Sequence, residues 1–190
     1  MDLLTSTSLA TMRKCPRMYQ LRYQLGWSRD RVRDVFRFGS AYHNGLEAFN
    51  RGASSDEAAR IAGRAYSLIP DWADERDWTI ESAQVQELVR GHCWRYGQET
   101  TRTVVEAEKV FRLPIVNPDT GRRSKSFELG GKIDCLAMYA AVLMLDEYKT
   151  ADDDITAGAA YWLRLRFDEQ ISIYTHAARE LGAVPAAASR

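Results

Sequence analysis

Residues 126–150 read SFELGGKIDCLAMYAAVLMLDEYKT, and this stretch decides the fold. The segment 126–139 reads as a β-strand, and the apolar run 141–148 as another strand at or near the centre of a sheet. Upstream, 103–115 is rich in β-branched residues and predicts an earlier strand. The two are joined by a turn at Asn117-Pro118-Asp119-Thr120-Gly121. Three successive strands make a meander, and two of them end in chemistry: Gly130-Gly131-Lys132-Ile133-Asp134 in one and Asp146-Glu147-Tyr148-Lys149-Thr150 in the next.

Adjacent antiparallel strands in the right register bring Asp134 and Glu147 side by side. Two hard carboxylates at one strand end suit Mg²⁺ or Mn²⁺. Glu147 and Lys149 stand two apart and so project to one face of a strand. Beside a cation, Lys149 can orient or activate a water and steady charge developing on a phosphate. Gly130 and Gly131 let the backbone bend or approach a ligand closely. A plainer reading stays open at this point: Asp134 caps a strand, and Glu147 and Lys149 form a surface pair. An acid-x-lysine tripeptide is common by chance, and only its place at the end of an apolar strand, after the Gly-Gly-Lys-Ile-Asp strand, gives it weight.

The first half of the chain follows a different grammar. Residues 6–24 predict helix, with Ser6 or Ser8 as N-cap and Pro16 as either a break or the first turn of a second short helix. Phe38, Tyr42, Leu46 and Phe49 recur at helical spacing and predict a helix over 36–50. Ser54-Ser55-Asp56-Glu57 opens a third helix ending near Pro70, and Thr79 or Ser82 caps a fourth reaching about Thr101. After a loop through 152–154, a last helix is expected over 158–181. Helices, then a meander, then a helix indicate an α/β or α+β domain.

The 190 residues are 45% hydrophobic and 27% charged, which suits one domain, 1–190, with a real core rather than a disordered chain. No run of about 18 apolar residues is present to cross a membrane. The N-terminus lacks a signal-peptide core, and three scattered cysteines fit a reducing compartment, so a cytoplasmic protein is expected. The 26 basic and 26 acidic residues balance, yet residues 13–37 hold eight basic residues against two acidic ones. Arg13, Lys14, Arg17, Arg22, Arg31, Arg33 and Arg37 alternate there with Tyr19, Tyr23, Trp27 and Phe36. Such a segment either grips a nucleic-acid backbone and stacks bases or is a solvated helix face.

With these motifs in place, the chain resembles the PD-(D/E)XK nuclease superfamily, in its RecB-like branch, which includes AddB-type and CRISPR-adaptation exonucleases. The likeness runs through nearly the whole chain in order. SLATMRKCPRMYQLRY (residues 8–23) is similar to the opening Cys-Pro-Arg helix segment. FGSAYHNGLE (38–47) is similar to the helix whose histidine, here His43, ligates metal. Glu108 in VEAEKVFRL matches a recurrent glutamate. Gly131-Lys132-Ile133-Asp134 and Glu147-Tyr148-Lys149-Thr150 match the two core motifs, and Gln170-x-x-x-Tyr174 a later helix.

The resemblance implies an α/β, restriction-endonuclease-like core: a central mixed β-sheet flanked by helices, with a helical N-terminal half to about residue 102 and the catalytic sheet and last helix over about 103–182. It implies a metal-dependent DNA nuclease, an exonuclease on single strands or ends, using Mg²⁺ or Mn²⁺. His43, Asp134, Glu147 and the main-chain carbonyl of Tyr148 are its expected ligands, with Lys149, Glu147 and Asp134 catalytic. Glu108 either reaches the metal through water or pairs with Lys132. Gln170 and Tyr174, on one helix face, either brace the loop or touch phosphate, or form an interior polar pair. His92 and His176 lie in no motif.

The chain also departs from the family. Cys15 occupies the place of the first of four cluster-binding cysteines in some relatives, but no cysteine follows Cys135, so no iron–sulfur cluster is expected. Glu147 stands where many members have aspartate. The chain stops soon after the Gln-x-x-x-Tyr helix, as a minimal version or a truncated product. Partners in a recombination or phage replication complex are compatible with the family, as are repair and CRISPR adaptation. Two other functions compete: a catalytically silent nucleic-acid-binding or adaptor domain, which the intact His43, Asp134, Glu147 and Lys149 disfavour, and a hydrolase of small substrates, which the basic N-terminal segment disfavours.

Overall fold

The computed structural model describes residues 2–28 and 34–182. Its elements run β1 (Asp2–Leu4), α1 (Ser6–Lys14), α2 (Pro16–Tyr19), α3 (Asp34–Asn50), α4 (Ser55–Gly63), α5 (Glu75–Tyr96), β2 (Arg102–Val116), β3 (Arg123–Tyr139), β4 (Val142–Asp146), α6 (Ala160–Leu165) and α7 (Glu169–Glu180).

Caps account for most of the helix boundaries. Thr5, rather than Ser6 or Ser8, opens α1 in a capping box: Thr5 Oγ1 accepts from the Ser8 N–H at 3.2 Å, and Ser8 Oγ from the Thr5 N–H at 2.9 Å. Pro16 takes the first position of α2, where its missing N–H costs nothing, and a π-turn over Gln20–Gln24 follows. Ser54 caps α4 as expected, but that helix ends at Gly63 and a 3₁₀ turn, Arg64–Tyr66, follows well short of Pro70. Asp74 caps α5 a turn earlier than the expected Thr79, whose hydroxyl instead donates to the Glu75 carbonyl at 2.8 Å. The single last helix is in fact two, because Asp168 turns the chain and caps α7 by accepting from the Ile171 N–H at 3.1 Å.

The sheet is mixed. β2 and β4 both pair antiparallel with β3, while β1 adds a short parallel pairing over Phe127–Leu129. β1 is too short to read in sequence, and it seats Leu3 directly on Gly130, where a Cβ would lie 2.4 Å from Leu3 Cδ1. β4 ends at Asp146 rather than 148, because the Tyr148 N–H leaves the ladder and donates to the Asp134 carboxylate at 2.8 Å.

Two apolar clusters hold the fold. One joins α3, α4 and α5 through Ala41, Ala58, Ala62, Trp78, Val85 and Val89. The helices approach closely there because position 45 is glycine: a Cβ would sit 2.7 Å from Val89 Cγ2. The other packs Tyr174, Ala177 and Ala178 of α7 on Phe111, Ile133 and Leu136 of the sheet. α3 also meets β2 and β3, and that junction carries the candidate site. No helix among the described residues is long and apolar enough to cross a membrane.

Candidate active site

The register of β3 and β4 pairs Cys135 with Asp146, so the next step along each strand faces Asp134 toward Glu147. Asp134 is buried and fully engaged. Its Oδ1 lies 3.2 Å from His43 Nδ1 on α3, and its Oδ2 accepts from the Tyr148 N–H at 2.8 Å. The Tyr148 amide therefore also belongs to the site, holding Asp134 in place.

On β2, Glu108 lies between the pairs Ala107–Cys135 and Lys109–Ile133, across from Asp134. Its backbone is left-handed (φ 57°), a conformation rare for glutamate and disruptive in a ladder. The result is a carboxylate turned toward Asp134 and His43: ligand atoms of His43, Glu108 and Asp134 lie within 4.8 Å of one another. Glu108 also pairs with Lys132, one of the two contacts the sequence left open.

Glu147 lies at the rim of this cluster. Its Oε1 accepts from Gln170 Nε2 at 2.6 Å and lies 3.6 Å from Lys149 Nζ, while Oε2 is buried without a hydrogen-bond partner. Lys149 Nζ donates to Gln170 Oε1 at 3.2 Å and lies 3.9 Å from Asp168 Oδ2. One amide, at the first turn of α7, therefore braces both functional side chains of the segment after β4. Tyr174, one turn on, is interior: its ring packs edge-on to Phe111 at 5.6 Å and covers Gly131, where a Cβ would be 2.8 Å from Tyr174 Cε1.

Crowded acidic groups set the electrostatics. Burial pushes the Glu147 carboxyl well above the usual range, to about 8, and Asp134 adds to this, while Lys149 and His43 pull it back. Burial alone would lower His43, but its hydrogen bond to Asp134 and the charges of Asp134, Glu147 and Glu108 hold it above its ordinary value. An imidazole among hard carboxylates, with one buried carboxylate oxygen left unpartnered, is a donor set that fits Mg²⁺ or Mn²⁺.

These groups open onto a cleft of about 550 Å³. It is lined by His43, Glu147 and Lys149 together with Tyr161, Arg164 and Leu165 of α6. Comparison with family models matches residues 4–189 to the PD-(D/E)XK nuclease superfamily. The chain belongs to that superfamily. Its mixed sheet flanked by helices is accordingly the restriction-endonuclease-like fold, and nuclease function and nucleic-acid binding come with membership. PD-(D/E)XK nucleases use divalent metals, and among the described residues His43, Glu108 and Asp134 form a group that could hold one. Comparison with curated proteins gives no match.

The basic segment is put to mixed use. Arg37 donates to Glu81 at 2.6 Å and lies 4.1 Å over the Trp78 ring, so it serves the helical core. Arg13 reaches Glu169, the neighbour of Gln170, at 3.0 Å; Arg17 donates to Gln20 at 2.6 Å; Arg22 lies 5.4 Å over the Tyr23 ring. Lys14 is exposed in the last turn of α1. Arg31 and Arg33 lie outside the described residues. Cys15 caps α2 by accepting from the Met18 N–H at 3.4 Å, and Cys93 and Cys135 are buried in α5 and β3.

Sequence reasoning passed over Asp168, Tyr161 and Arg164, and a polar network around Tyr148. Asp168 had a signal, an aspartate three residues before Ile171 at a helix start. The network had none, because its members are scattered from Asn50 to Tyr148.

Proposed function

We propose that this protein is a metal-dependent deoxyribonuclease acting as an exonuclease on single strands or DNA ends. One observation carries the reading: His43, Glu147 and Lys149 line one cleft, and buried Asp134 is held against His43 behind it, so residues from three separate segments converge there. In this reading His43, Asp134 and Glu147 hold Mg²⁺ or Mn²⁺, with Glu108 and the Tyr148 carbonyl completing the ligand set. When bound, the cation supplies Lewis acidity and lowers the pKa of water at neutral pH.

The chain's own residues do the rest. Lys149 Nζ, held by Gln170 and Glu147, presents a positive charge to the scissile phosphate and orients the attacking water. Gln170 keeps Glu147 and Lys149 from collapsing into a tighter pair, since it bonds both at once. Also lining the cleft, Arg164, which pairs with Asp153, can exchange that partner for a backbone phosphate, and Tyr161 offers a ring to an unpaired base. A base in a duplex already has its faces stacked, which favours a single strand or frayed end. Arg13, Lys14, Arg17 and Arg22 extend the phosphate path along α1 and the π-turn, on the flank where Arg13 meets α7.

Labelled single- and double-stranded DNA, incubated with Mn²⁺, Mg²⁺ or EDTA, tests this. The expected result is metal-dependent shortening from the ends of single strands, abolished by EDTA. Binding without cleavage under every metal condition would refute it and leave a nucleic-acid-binding domain on a nuclease fold.

A further inference from the structure

The three segments that carry the site are distant in sequence: α3 with His43, β3 with Asp134, and the stretch after β4 with Glu147 and Lys149. Each of them contributes an acceptor to one guanidinium. Arg102, the first residue of β2, donates through Nε to Asp146 Oδ2 at 3.0 Å and Tyr139 Oη at 3.1 Å. Through Nη2 it reaches Asn50 Oδ1 at 3.0 Å, Tyr148 Oη at 2.9 Å and Cys135 Sγ at 3.3 Å. The partners are cross-linked as well: Asn50 Nδ2 donates to Tyr148 Oη at 3.1 Å, and Tyr139 Oη donates to Asp146 at 3.0 Å.

The placement of these acceptors gives the network its meaning. Asn50 closes α3, seven residues and hence two turns beyond His43, on the same helix face. Cys135 follows Asp134. Asp146 and Tyr148 flank Glu147, and the Tyr148 amide itself holds Asp134. The Arg102 and Asp146 side chains are only 13% and 17% exposed, so these charge-assisted bonds compete little with water. His92 seals one side, its ring edge-on to Tyr148 at 5.3 Å and its Nδ1 3.3 Å from Tyr42 Oη. A lysine, with its single nitrogen, could not span acceptors on α3, β3 and β4 together.

We infer that Arg102 is a positioning residue for the metal centre, a buried guanidinium that fixes His43, Asp134 and the Glu147–Lys149 segment relative to one another without touching substrate. The inference rests on the nuclease reading above. A purely structural arginine would contribute only to stability. A positioning arginine also sets metal affinity and turnover, because groups that orient metal ligands typically matter about 10- to 100-fold in either.

The test uses the full chain with Arg102→Lys, Arg102→Met, Tyr148→Phe and the Arg102→Lys/Tyr148→Phe double variant. Folding is followed by circular dichroism melting, Mn²⁺ binding by calorimetry and electron paramagnetic resonance, and kcat and KM on single-stranded DNA. Folded Arg102→Lys should lose about 10- to 100-fold in Mn²⁺ affinity or kcat. It should also show an altered Mn²⁺ spectrum and an unchanged KM. Tyr148→Phe, which keeps the amide to Asp134, should move the same readouts less, and the double variant should be less than additive because the two share one bond. A folded Arg102→Lys with wild-type Mn²⁺ affinity, spectrum and kcat would overturn the inference. If the Arg102 variants do not fold, Tyr148→Phe decides, and wild-type values there overturn it equally. Wild-type protein that binds no Mn²⁺ would instead overturn the metal-centre reading, and this inference with it.

Discussion

Replacing Lys149 with alanine separates two roles that its position combines. Nζ lies 3.6 Å from Glu147 Oε1, where, once Glu147 is ionised, opposite unit charges at an effective dielectric of about 20 attract by about 4–5 kcal/mol. A phosphate at similar range would experience comparable stabilisation, and mutational loss of such a group typically costs about 10²- to 10³-fold in kcat, or about 3–4 kcal/mol. The same substitution removes a charge that lowers the Glu147 pKa. Burial and Asp134 then act with only His43 opposing them, and the carboxylate becomes available at higher pH than in wild type. The assay is kcat on labelled single-stranded DNA from pH 6 to 9.5 at saturating Mn²⁺, with melting curves in parallel. Lys149→Ala should be folded and about 10²- to 10³-fold slower at every pH. Cleavage at the wild-type rate would refute the assignment. Full recovery at high pH would refute the phosphate role and leave Lys149 only as the group that ionises Glu147.

Asp134→Asn and His43→Ala should each severely weaken Mn²⁺ binding in calorimetry, with His43→Ala less damaging for Mg²⁺, which prefers oxygen ligands. Because the Glu147 pKa is raised by folding, the metal-free protein should lose stability as pH rises from its unfolded value near 4.5 to about 8, while Mn²⁺ affinity rises and binding releases a proton. Melting curves and calorimetry in buffers of different ionisation enthalpy read both effects. Reversing Arg13, Arg17 and Arg22 to glutamate should weaken single-stranded DNA binding, each lost phosphate contact lowering the log–log salt slope by about 0.7, with thermal stability measured alongside. Gly131→Ala should destabilise the fold by about 1–3 kcal/mol in denaturant titration, since its Cβ would lie 2.8 Å from Tyr174 and 2.9 Å from Phe111.

Much of this was legible in the sequence because it depended on local pattern. The strand alternation that places Asp134 opposite Glu147, and the helical spacing that carries His43, are fixed by backbone periods of 2 and 3.6. What escaped depended on side chains making bonds that pattern cannot reveal. Tyr148 leaves its strand because an aspartate accepts its amide, which shortens β4 by two residues relative to the apolar run. The break between α6 and α7 lies in Asp168, whose cap signal is submerged in an apolar pattern that runs on through 158–181. Arg37 had the same charge as its neighbours in the basic segment, and only the tertiary positions of Glu81 and Trp78 turn it toward the core. Apart from the Tyr139–Asp146 bond between neighbouring strands, the Arg102 network is non-local and was beyond any reading of spacing.

The left-handed backbone at Glu108 has a consequence for how such a chain can change over generations. A non-glycine residue held there costs about 1–3 kcal/mol, in the middle of a strand whose ladder to β3 is also irregular at Val104/Glu106 and Pro114/Val116. Selection for stability alone would drift this position toward glycine, which adopts that backbone freely but brings no carboxylate. On the proposed function, lineages that no longer cut DNA should relax here early, and Glu108→Gly is the first substitution for a stabilised, inactive scaffold for crystallisation or display. Retention of a charged side chain on so unfavourable a backbone ties the persistence of this strand's geometry to the persistence of the chemistry beside it.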